Sequence, residues 1–209
     1  METRDATLKV WHVGRGSEHA ILYFGGNAED VAWNIESFAA LFPSSDVYLV
    51  NYRGYGGSSG SPSEAALFDD AEVIFDSIRD DHVRISVIGR SLGSGVAVHI
   101  ASVRDVHKLV LVTPYDSVAS VAKTRFAVFP VSLLLKDKFD SLSKAAAIDA
   151  PTMILLAERD HVIPHGHSQR LLTAFPPGDV RLRTIQGTTH DSIVAAEEYR
   201  RALHDFLRI

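Results

Sequence analysis

Cysteine is absent from the 209 residues of this chain. Disulfide bonds, thiol catalysis, cysteine-based metal sites and lipidation of cysteine are therefore excluded. Any nucleophile or metal ligand must come from another residue type. The chain does contain ten histidines, so a role for any one of them has to be argued from its position.

Long apolar runs and long basic runs are also absent from the sequence. No stretch approaches the ~20 apolar residues that a membrane-crossing helix requires, and residues 1–5 lack the apolar core of a signal sequence. The basic pair at residues 200–201 is too short to indicate a nucleic-acid-binding face. These absences predict a cytoplasmic protein with neither a transmembrane segment nor a nucleic-acid partner.

The composition that remains is ordinary for a globular protein. Hydrophobic residues make up 46% of the chain, charged residues make up 22%, and the net charge is -5. A chain of this length buries one substantial core, which predicts a single domain over residues 1–209. The sequence contains no G-x-x-x-x-G-K-[ST] phosphate loop and no G-x-G-x-x-G fingerprint, so nucleotide binding has no support.

Strand-like and helix-like segments alternate along the chain. Strands are predicted at residues 8–11, 20–24, 46–50, 83–88, 109–112, 151–157 and 180–185, and helices at residues 28–41, from residue 62 onward, and at residues 193–207. Ser61 is the predicted cap of the second of these helices. The alternation predicts an α/β fold, with a mostly parallel sheet and helices on both faces.

The most informative motif is G-x-S-x-G at residues 89–93. It follows the predicted strand 83–88 and precedes a stretch of small and apolar residues that can pack as a helix. In this setting the motif predicts a nucleophile elbow, in which glycines make room for a strained serine backbone. Ser91 would then lie at a helix N-terminus, where the helix dipole favours negative charge.

A serine hydroxyl requires a general base, and the base requires an orienting acid. Asp160 follows the strand 151–157 and should lie at the carboxyl edge of the sheet, where ligands bind in open α/β folds. His190 lies on the loop after the last predicted strand, which suits a general base. Glu158 and Asp116 also follow or end strands and are alternative acids, but Asp160 is preferred.

The other histidines offer weaker candidates. His161, His165 and His167 lie close to Asp160 in sequence, but their spacing resembles no common zinc site. A solvated helix start is the preferred interpretation of this group. His99 lies within the helix after Ser91 and is predicted to be a packed or surface residue.

Acyl transfer also requires two backbone amides to bind the carbonyl oxygen. The amide of Leu92, the residue after the nucleophile, is the first candidate. The second is the amide of Asn27, in the glycine-rich turn after the strand 20–24. Asn27 can equally be the cap of the next helix, and the two roles are compatible.

Five segments occur in an order that resembles a known family. They are residues 24–29 (FGGNAE), 52–60 (YRGYGGSSG), 89–93 (GRSLG), 158–160 (ERD) and 187–190 (GTTH). With these segments the chain resembles a small α/β-hydrolase, of the branch that contains bacterial serine-aminopeptidase-like hydrolases and eukaryotic protein depalmitoylases. The resemblance implies a catalytic triad of Ser91, Asp160 and His190, oxyanion amides from Asn27 and Leu92, and no metal or organic cofactor. It departs from the family at Gly25, where the family often has histidine, and this glycine is expected to loosen the oxyanion turn.

Residues 114–150 do not fit the alternation, and hydrolases of the resembled class insert a lid there. The segment is rich in apolar residues, namely Phe126, Val128, Phe129, Val131, Leu133, Leu134 and Leu135. Two interpretations stay open: one wall of an acyl-binding pocket, or a helix pair packed on the sheet. Tyr115 and Arg125 are further candidates for substrate contact.

The implied activity is hydrolysis of carboxylic esters or thioesters through an acyl-enzyme intermediate, on a small-molecule or acylated substrate. A peptidase or amidase of the same fold is an alternative, although amide cleavage needs protonation of a poorer leaving group. A non-catalytic binding protein with a hydrolase fold is a second alternative, but such proteins usually lack a triad member.

Overall fold

The computed structural model describes residues 1–125 and 135–208. Its strands are β1 (Val10–Val13), β2 (His19–Phe24), β3 (Asp46–Val50), β4 (Arg84–Arg90), β5 (Leu109–Val112), β6 (Thr152–Arg159) and β7 (Val180–Thr189). They form one seven-stranded sheet in the order β1-β3-β2-β4-β5-β6-β7. Strand β1 is antiparallel to β3, and the other pairings are parallel. The predicted α/β class with a mostly parallel sheet is confirmed.

Helices cover both faces of the sheet. They are α1 (Ile35–Leu41), α2 (Glu64–Ile78), α3 (Leu92–Val103), α4 (Val118–Arg125), α5 (Leu142–Ala145), α6 (His165–Ala174) and α7 (Glu197–Leu207), with short 3-10 helices at Val31–Asn34 and Ser192–Ala195. Helices α1 and α7 contribute to the core on one face, and α2, α3 and α6 contribute to the core on the other. This arrangement buries the central strands on both sides.

Burial along the strands follows from their place in the sheet. Every residue of the central strand β2 is buried, and its side chains alternate, with Leu22 in one core and Tyr23 in the other. Strand β7 is an edge strand, and its residues Arg181 and Arg183 are exposed. Leu182 is also 43% exposed, whereas Ile185 is buried, so the covered part of this edge strand lies toward its C-terminal end.

Two predicted helix starts are wrong. Asp30 rather than Asn27 caps the first helical segment, because its carboxylate accepts the Ala32 amide at 3.1 Å. Helix α2 begins at Glu64 instead of residue 62, and its cap is Ser63 instead of Ser61. The reason is tertiary: the Glu64 carboxylate accepts the Lys138 amide at 2.7 Å, so it does not reach back to a cap.

Only part of the predicted lid falls within the described residues. Helices α4 and α5 lie inside residues 114–150, and Phe139 packs edge-to-face against Phe68 at 5.5 Å between ring centroids. The apolar residues Phe126, Val128, Phe129, Val131, Leu133 and Leu134 lie outside the described residues, as does the side chain of Arg125. The lid and the single domain over residues 1–209 stay predictions.

Among residues 1–125 and 135–208, no helix combines the length and the apolar character that a membrane span requires.

Candidate active site

Ser91 occupies a strained turn between β4 and α3. Its backbone angles, φ 49° and ψ -115°, lie outside the usual regions for a residue with a side chain. A Cβ on Gly93 would collide with the carbonyl oxygen of Phe24, and one on Gly89 would collide with the backbone of Gly93. Both motif glycines are therefore needed for α3 to start this close to the sheet.

His190 lies within hydrogen-bonding distance of both Ser91 and Asp160. His190 Nε2 is 2.9 Å from Ser91 Oγ, and His190 Nδ1 is 2.8 Å from Asp160 Oδ2. Each residue follows a different parallel strand, β4, β7 and β6 respectively, and the carboxyl ends of these strands meet at one edge of the sheet. Side chains 99 residues apart in sequence are brought together in this way.

The environment of Asp160 keeps its carboxyl ionised. Its Oδ1 accepts the amides of Val162 at 2.9 Å and Ile163 at 2.8 Å. Burial on its own would raise the pKa of Asp160, but the hydrogen bonds from His190 and these amides hold it below the ordinary value of 3.8. An ionised carboxylate only accepts hydrogen bonds, so His190 carries its proton on Nδ1 and leaves Nε2 to accept from Ser91.

The two alternative acids do not contact His190. Glu158 is exposed at the end of β6, where its carboxylate accepts the Gly187 amide at 2.8 Å. Asp116 is buried and lies 2.8 Å from His167 Nδ1 and 2.7 Å from Arg170 Nε. Each is engaged elsewhere, which leaves Asp160 beside the imidazole.

The predicted solvated character of the histidine group near Asp160 is wrong for His167. Its side chain is buried against Asp116, because the first turn of α6 packs against the residues that follow β5. His165 Nε2 lies 2.7 Å from the carbonyl oxygen of Ala157, and His161 is exposed. In the described part of the chain, no three histidine, aspartate or glutamate side chains are grouped to hold a metal ion.

One predicted oxyanion amide directly follows Ser91 in sequence, and the other lies in a turn that approaches Ser91, because a Cβ on Gly26 would lie 3.6 Å from Ser91 Cβ. Leu92 begins α3, and Asn27 lies in the turn after β2. Neither backbone N–H has an acceptor among the described residues, whereas the neighbouring amide of Gly26 donates to Glu29 Oε2 at 2.6 Å. The Asn27 side chain accepts from Tyr55 Oη at 2.8 Å, which holds the turn from its outer side.

Tyr115, a predicted substrate contact, is buried behind the start of α3. Its hydroxyl donates to the carbonyl oxygen of Leu92 at 3.0 Å. This bond supports the helix start from inside the core, away from the surface that a substrate would reach.

Sequence reasoning missed an ion pair beside the site. Arg90, the residue before Ser91, turns inward, and its Nη1 lies 2.7 Å from Glu29 Oε2. Its Nη2 donates to the carbonyl oxygen of His190 at 3.3 Å. The only signal in the sequence was an acidic residue in the turn after β2 and a basic residue in the elbow, and neither position names its partner.

Comparison with protein-family models gives no match. An uncharacterized protein of Mycobacterium tuberculosis is 36% identical over 183 residues, which are 83% of this chain and 65% of that protein. Alpha/beta hydrolase domain-containing protein 17C of Xenopus tropicalis is 27% identical over 92% of this chain and 62% of its own length. The chain thus spans about 65% of the length of these relatives.

Two solved structures of similar fold illustrate the architecture. An esterase of Pyrococcus furiosus superposes with a TM-score of 0.78 at 22% identity, over 97% of this chain and 87% of the esterase. A monoacylglycerol lipase of Paleococcus ferrophilus superposes with a TM-score of 0.75 at 18% identity, over 96% of this chain and 98% of the lipase. The similarity extends over nearly the whole of each fold.

The predicted cytoplasmic location is contradicted by a further relative. A protein of Saccharomyces cerevisiae that is 27% identical over 96% of this chain, and 75% of its own length, is named an uncharacterized membrane protein. The lack of an apolar run was the basis of the prediction. That basis is insufficient, because proteins also attach to membranes without spanning them.

Proposed function

We propose that this chain, which has the α/β-hydrolase fold and is similar in sequence to an alpha/beta hydrolase domain-containing protein, is a serine hydrolase that cleaves carboxylic ester or thioester bonds. One observation carries the proposal. A hydroxyl on a strained elbow, an imidazole and an ionised carboxylate form a continuous chain of contacts of 2.9 Å and 2.8 Å at Ser91, His190 and Asp160. This is the arrangement that activates a serine for nucleophilic attack.

In the proposed mechanism, Ser91 Oγ attacks the substrate carbonyl while His190 Nε2 takes the hydroxyl proton. Asp160 holds the imidazole in the required tautomer and stabilises its positive form. The amides of Leu92 and Asn27 bind the oxyanion of the tetrahedral intermediate. His190 then returns its proton to the leaving group, and the same residue activates the water that releases the acid.

The choice of esters and thioesters rests on the relatives and on the leaving group. The superposed structures include an esterase and a monoacylglycerol lipase by name. Alkoxide and thiolate leaving groups also need less help from a proton donor than an amine does. We further propose that residues 114–150 form a small lid on this one domain and contribute a wall of the acyl-binding pocket.

A fluorophosphonate probe tests the proposed nucleophile. We expect covalent labelling of the folded wild-type protein at Ser91, detected by intact mass and peptide mapping, and no labelling of Ser91→Ala. Ser94→Ala is the matched control, because Ser94 Oγ lies one turn further along α3 and donates to the Ser91 carbonyl oxygen at 2.6 Å. Unlabelled but folded wild-type protein would support a non-catalytic binding protein instead.

A panel of p-nitrophenyl esters, matched thioesters and p-nitroanilides tests the bond that is cleaved. We expect turnover of esters and thioesters, with an optimum in acyl length that gauges the depth of the pocket. Faster turnover of the anilides than of the matched esters would favour the peptidase or amidase alternative.

A further inference from the structure

The carboxylate of Glu29 is the centre of a hydrogen-bond network next to the proposed nucleophile. Its Oε2 accepts from the Gly26 amide at 2.6 Å and from Arg90 Nη1 at 2.7 Å, and its Oε1 accepts from Tyr23 Oη at 2.7 Å and Asn34 Nδ2 at 2.8 Å. Burial alone would raise the pKa of Glu29, but Arg90, Gly26 and Tyr23 together hold it below its ordinary value. The group is therefore a buried anion with four donors.

Arg90 extends this network to the opposite side of the site. One arm of its guanidinium binds Glu29, and the other donates to the carbonyl oxygen of His190. Both charged side chains are only 12% exposed. Arg90 thus joins the turn that carries the Asn27 amide to the loop that carries the proposed general base, where its Nη2 also lies 3.7 Å from the exposed Asp191 carboxylate.

Glu29 also fills the space left by an unusual glycine. A Cβ on Gly25 would lie 2.8 Å from Val31 Cγ1 and 3.1 Å from Glu29 Cδ, so the turn has no room for a side chain there. The expectation that Gly25 loosens this turn is therefore not met in the structure. The Glu29 carboxylate braces the turn and occupies the Gly26 amide, while the Asn27 amide has no acceptor within residues 1–125 and 135–208.

We infer that Glu29 and Arg90 are positioning residues that fix the separation between the oxyanion turn and the imidazole of His190. The inference rests on the proposed serine-hydrolase function. Neither side chain needs to touch the substrate, because the Gly26 amide and the His190 carbonyl transmit their positions. A displacement of about 1 Å at a reacting group can cost about 100-fold in rate, so such a brace would act mainly on kcat.

Because Glu29 and Arg90 carry opposite charges, removal of Arg90 alone and removal of both residues should have different effects. A carboxylate this close to the oxyanion turn opposes the negative charge that develops in the transition state, and Arg90 neutralises it. Removal of Arg90 alone therefore leaves an uncompensated anion next to the developing oxyanion. Removal of both charges leaves a neutral turn that has lost its brace but carries no repulsion.

The test compares Glu29→Gln with Asp46→Asn. Asp46 is a buried carboxylate that accepts two backbone amides, from Gly16 and Ser17 at 3.1 Å each, and it lies at the start of β3, at the opposite edge of the sheet. We expect both variants to melt earlier than the wild type. Only Glu29→Gln should lower kcat for the preferred p-nitrophenyl ester, by about 10- to 100-fold with KM within about threefold.

A trifluoromethyl ketone that carries the same acyl chain separates positioning from general loosening. It forms a tetrahedral adduct with the serine, so its inhibition constant in Glu29→Gln should rise by the same factor as kcat/KM falls. Among the Arg90 variants, Arg90→Met should lose more activity than the Glu29→Gln/Arg90→Met double variant. If Glu29→Gln does not fold, Arg90→Lys replaces it, because it keeps the charge without the two-armed contact, and an approximately tenfold lower kcat is expected.

Three outcomes would overturn the inference. Equal kcat in Glu29→Gln and Asp46→Asn would do so alone, as would independent, multiplicative losses in the double variant. A wild type that is neither labelled by fluorophosphonate nor active on any ester would remove the proposed function, and this inference with it. If the wild type is active and the Glu29 and Arg90 variants keep the wild-type kcat, the inference fails but the proposed function is still supported.

Discussion

Two aspartate–histidine pairs lie at the carboxyl edge of the same sheet. In both Asp160–His190 and Asp116–His167, a carboxylate oxygen lies 2.8 Å from Nδ1, and in both pairs the side chains are at most 8% exposed. The Nε2 atom of His190 faces Ser91 Oγ at 2.9 Å, and that of His167 faces Thr124 Oγ1 at 3.2 Å. By these distances alone, both resemble a nucleophile, a base and an acid.

The two pairs differ in the hydroxyl that each histidine faces, which is Ser91 Oγ for His190 and Thr124 Oγ1 for His167. Thr124 lies within α4 and donates to the carbonyl oxygen of Ser120, one turn earlier, so its hydroxyl is held in the helix. Ser91 is strained and precedes a helix N-terminus, and the nearby amides of Leu92 and Asn27 have no acceptor in the part of the chain that the structure describes. A carboxylate–imidazole contact is therefore a poor criterion for an active site unless a presented hydroxyl and oxyanion donors accompany it.

The largest difference between the two pairs should be the loss of kcat when each histidine is replaced by alanine. We expect His190→Ala to lower kcat on the preferred ester by at least about 10⁴-fold, because the base is lost. His167→Ala should lower the melting temperature and leave kcat within about threefold. Ester turnover and thermal unfolding by circular dichroism would be measured on both variants, and a loss of kcat in His167→Ala equal to that in His190→Ala would show that the pairs are not distinct.

Replacing Asp160 should also lower kcat more than replacing Asp116, but the difference should be smaller than for the two histidines. Asp160→Asn removes the acceptor that fixes the His190 tautomer, and we expect kcat to fall by about 10³- to 10⁴-fold. Asp116→Asn removes the negative charge and one of the two oxygens that His167 and Arg170 share, and it should act on stability alone. A normal kcat in folded Asp160→Asn would contradict the assigned orienting acid, and the fluorophosphonate labelling rate gives a second check.

Sequence reasoning located the first pair because chemistry restricts its members. The G-x-S-x-G spacing, the position after a strand and the chain order together favoured Ser91, Asp160 and His190 over nine other histidines and several other carboxylates. These features are local, so one sequence contains them. The sheet was predictable for the same reason, since strand and helix periodicities are properties of short segments.

Contacts between distant segments were beyond the same reasoning. The burial of His167 depends on Asp116, 51 residues earlier, and the place of Glu29 depends on Arg90, 61 residues later. Nothing near either residue in sequence specifies its partner. The Ser61 cap was wrong for a related reason, because residues 137 and 138 bind Glu64 and local capping patterns contain no information about them.

His19 is also buried, but its ring nitrogens face hydroxyl groups rather than a carboxylate. The ring nitrogens of His19 face Ser45 Oγ at 3.2 Å and Ser86 Oγ at 2.9 Å. Burial, followed by the charges of His107, Lys108 and Arg84, lowers the pKa of His19 from 6.5 to about 4. The unfolded chain therefore binds a proton more readily than the folded protein does between these two pH values.

Stability should consequently fall as pH decreases from 6.5 to 4. We expect His19 to account for about 3 kcal/mol of this loss in the free energy of unfolding, and His19→Gln to flatten the slope in this window. Urea unfolding at a series of pH values provides the measurement. An unchanged slope in His19→Gln would show that His19 is not the titrating group, and His12→Gln, with an exposed side chain, is the control.

We expect the smallest difference between the two sites in the free energy of unfolding, because the backbone is strained at Ser91 and regular at Thr124. Ser91 holds a positive φ of 49°, whereas Thr124 lies in a regular helix. Glycine adopts such a conformation without a Cβ penalty, so Ser91→Gly should raise the free energy of unfolding by about 1 kcal/mol over Ser91→Ala, which keeps the Cβ. Both variants lack the hydroxyl of the proposed nucleophile and should be inactive, so that only stability distinguishes them. Thr124→Gly should instead lose about 1 kcal/mol relative to Thr124→Ala, because glycine is unfavourable within a helix. Urea unfolding of the four variants would show opposite signs at the two sites if backbone strain is confined to the elbow, and equal stability of Ser91→Gly and Ser91→Ala would mean that no strain is stored there.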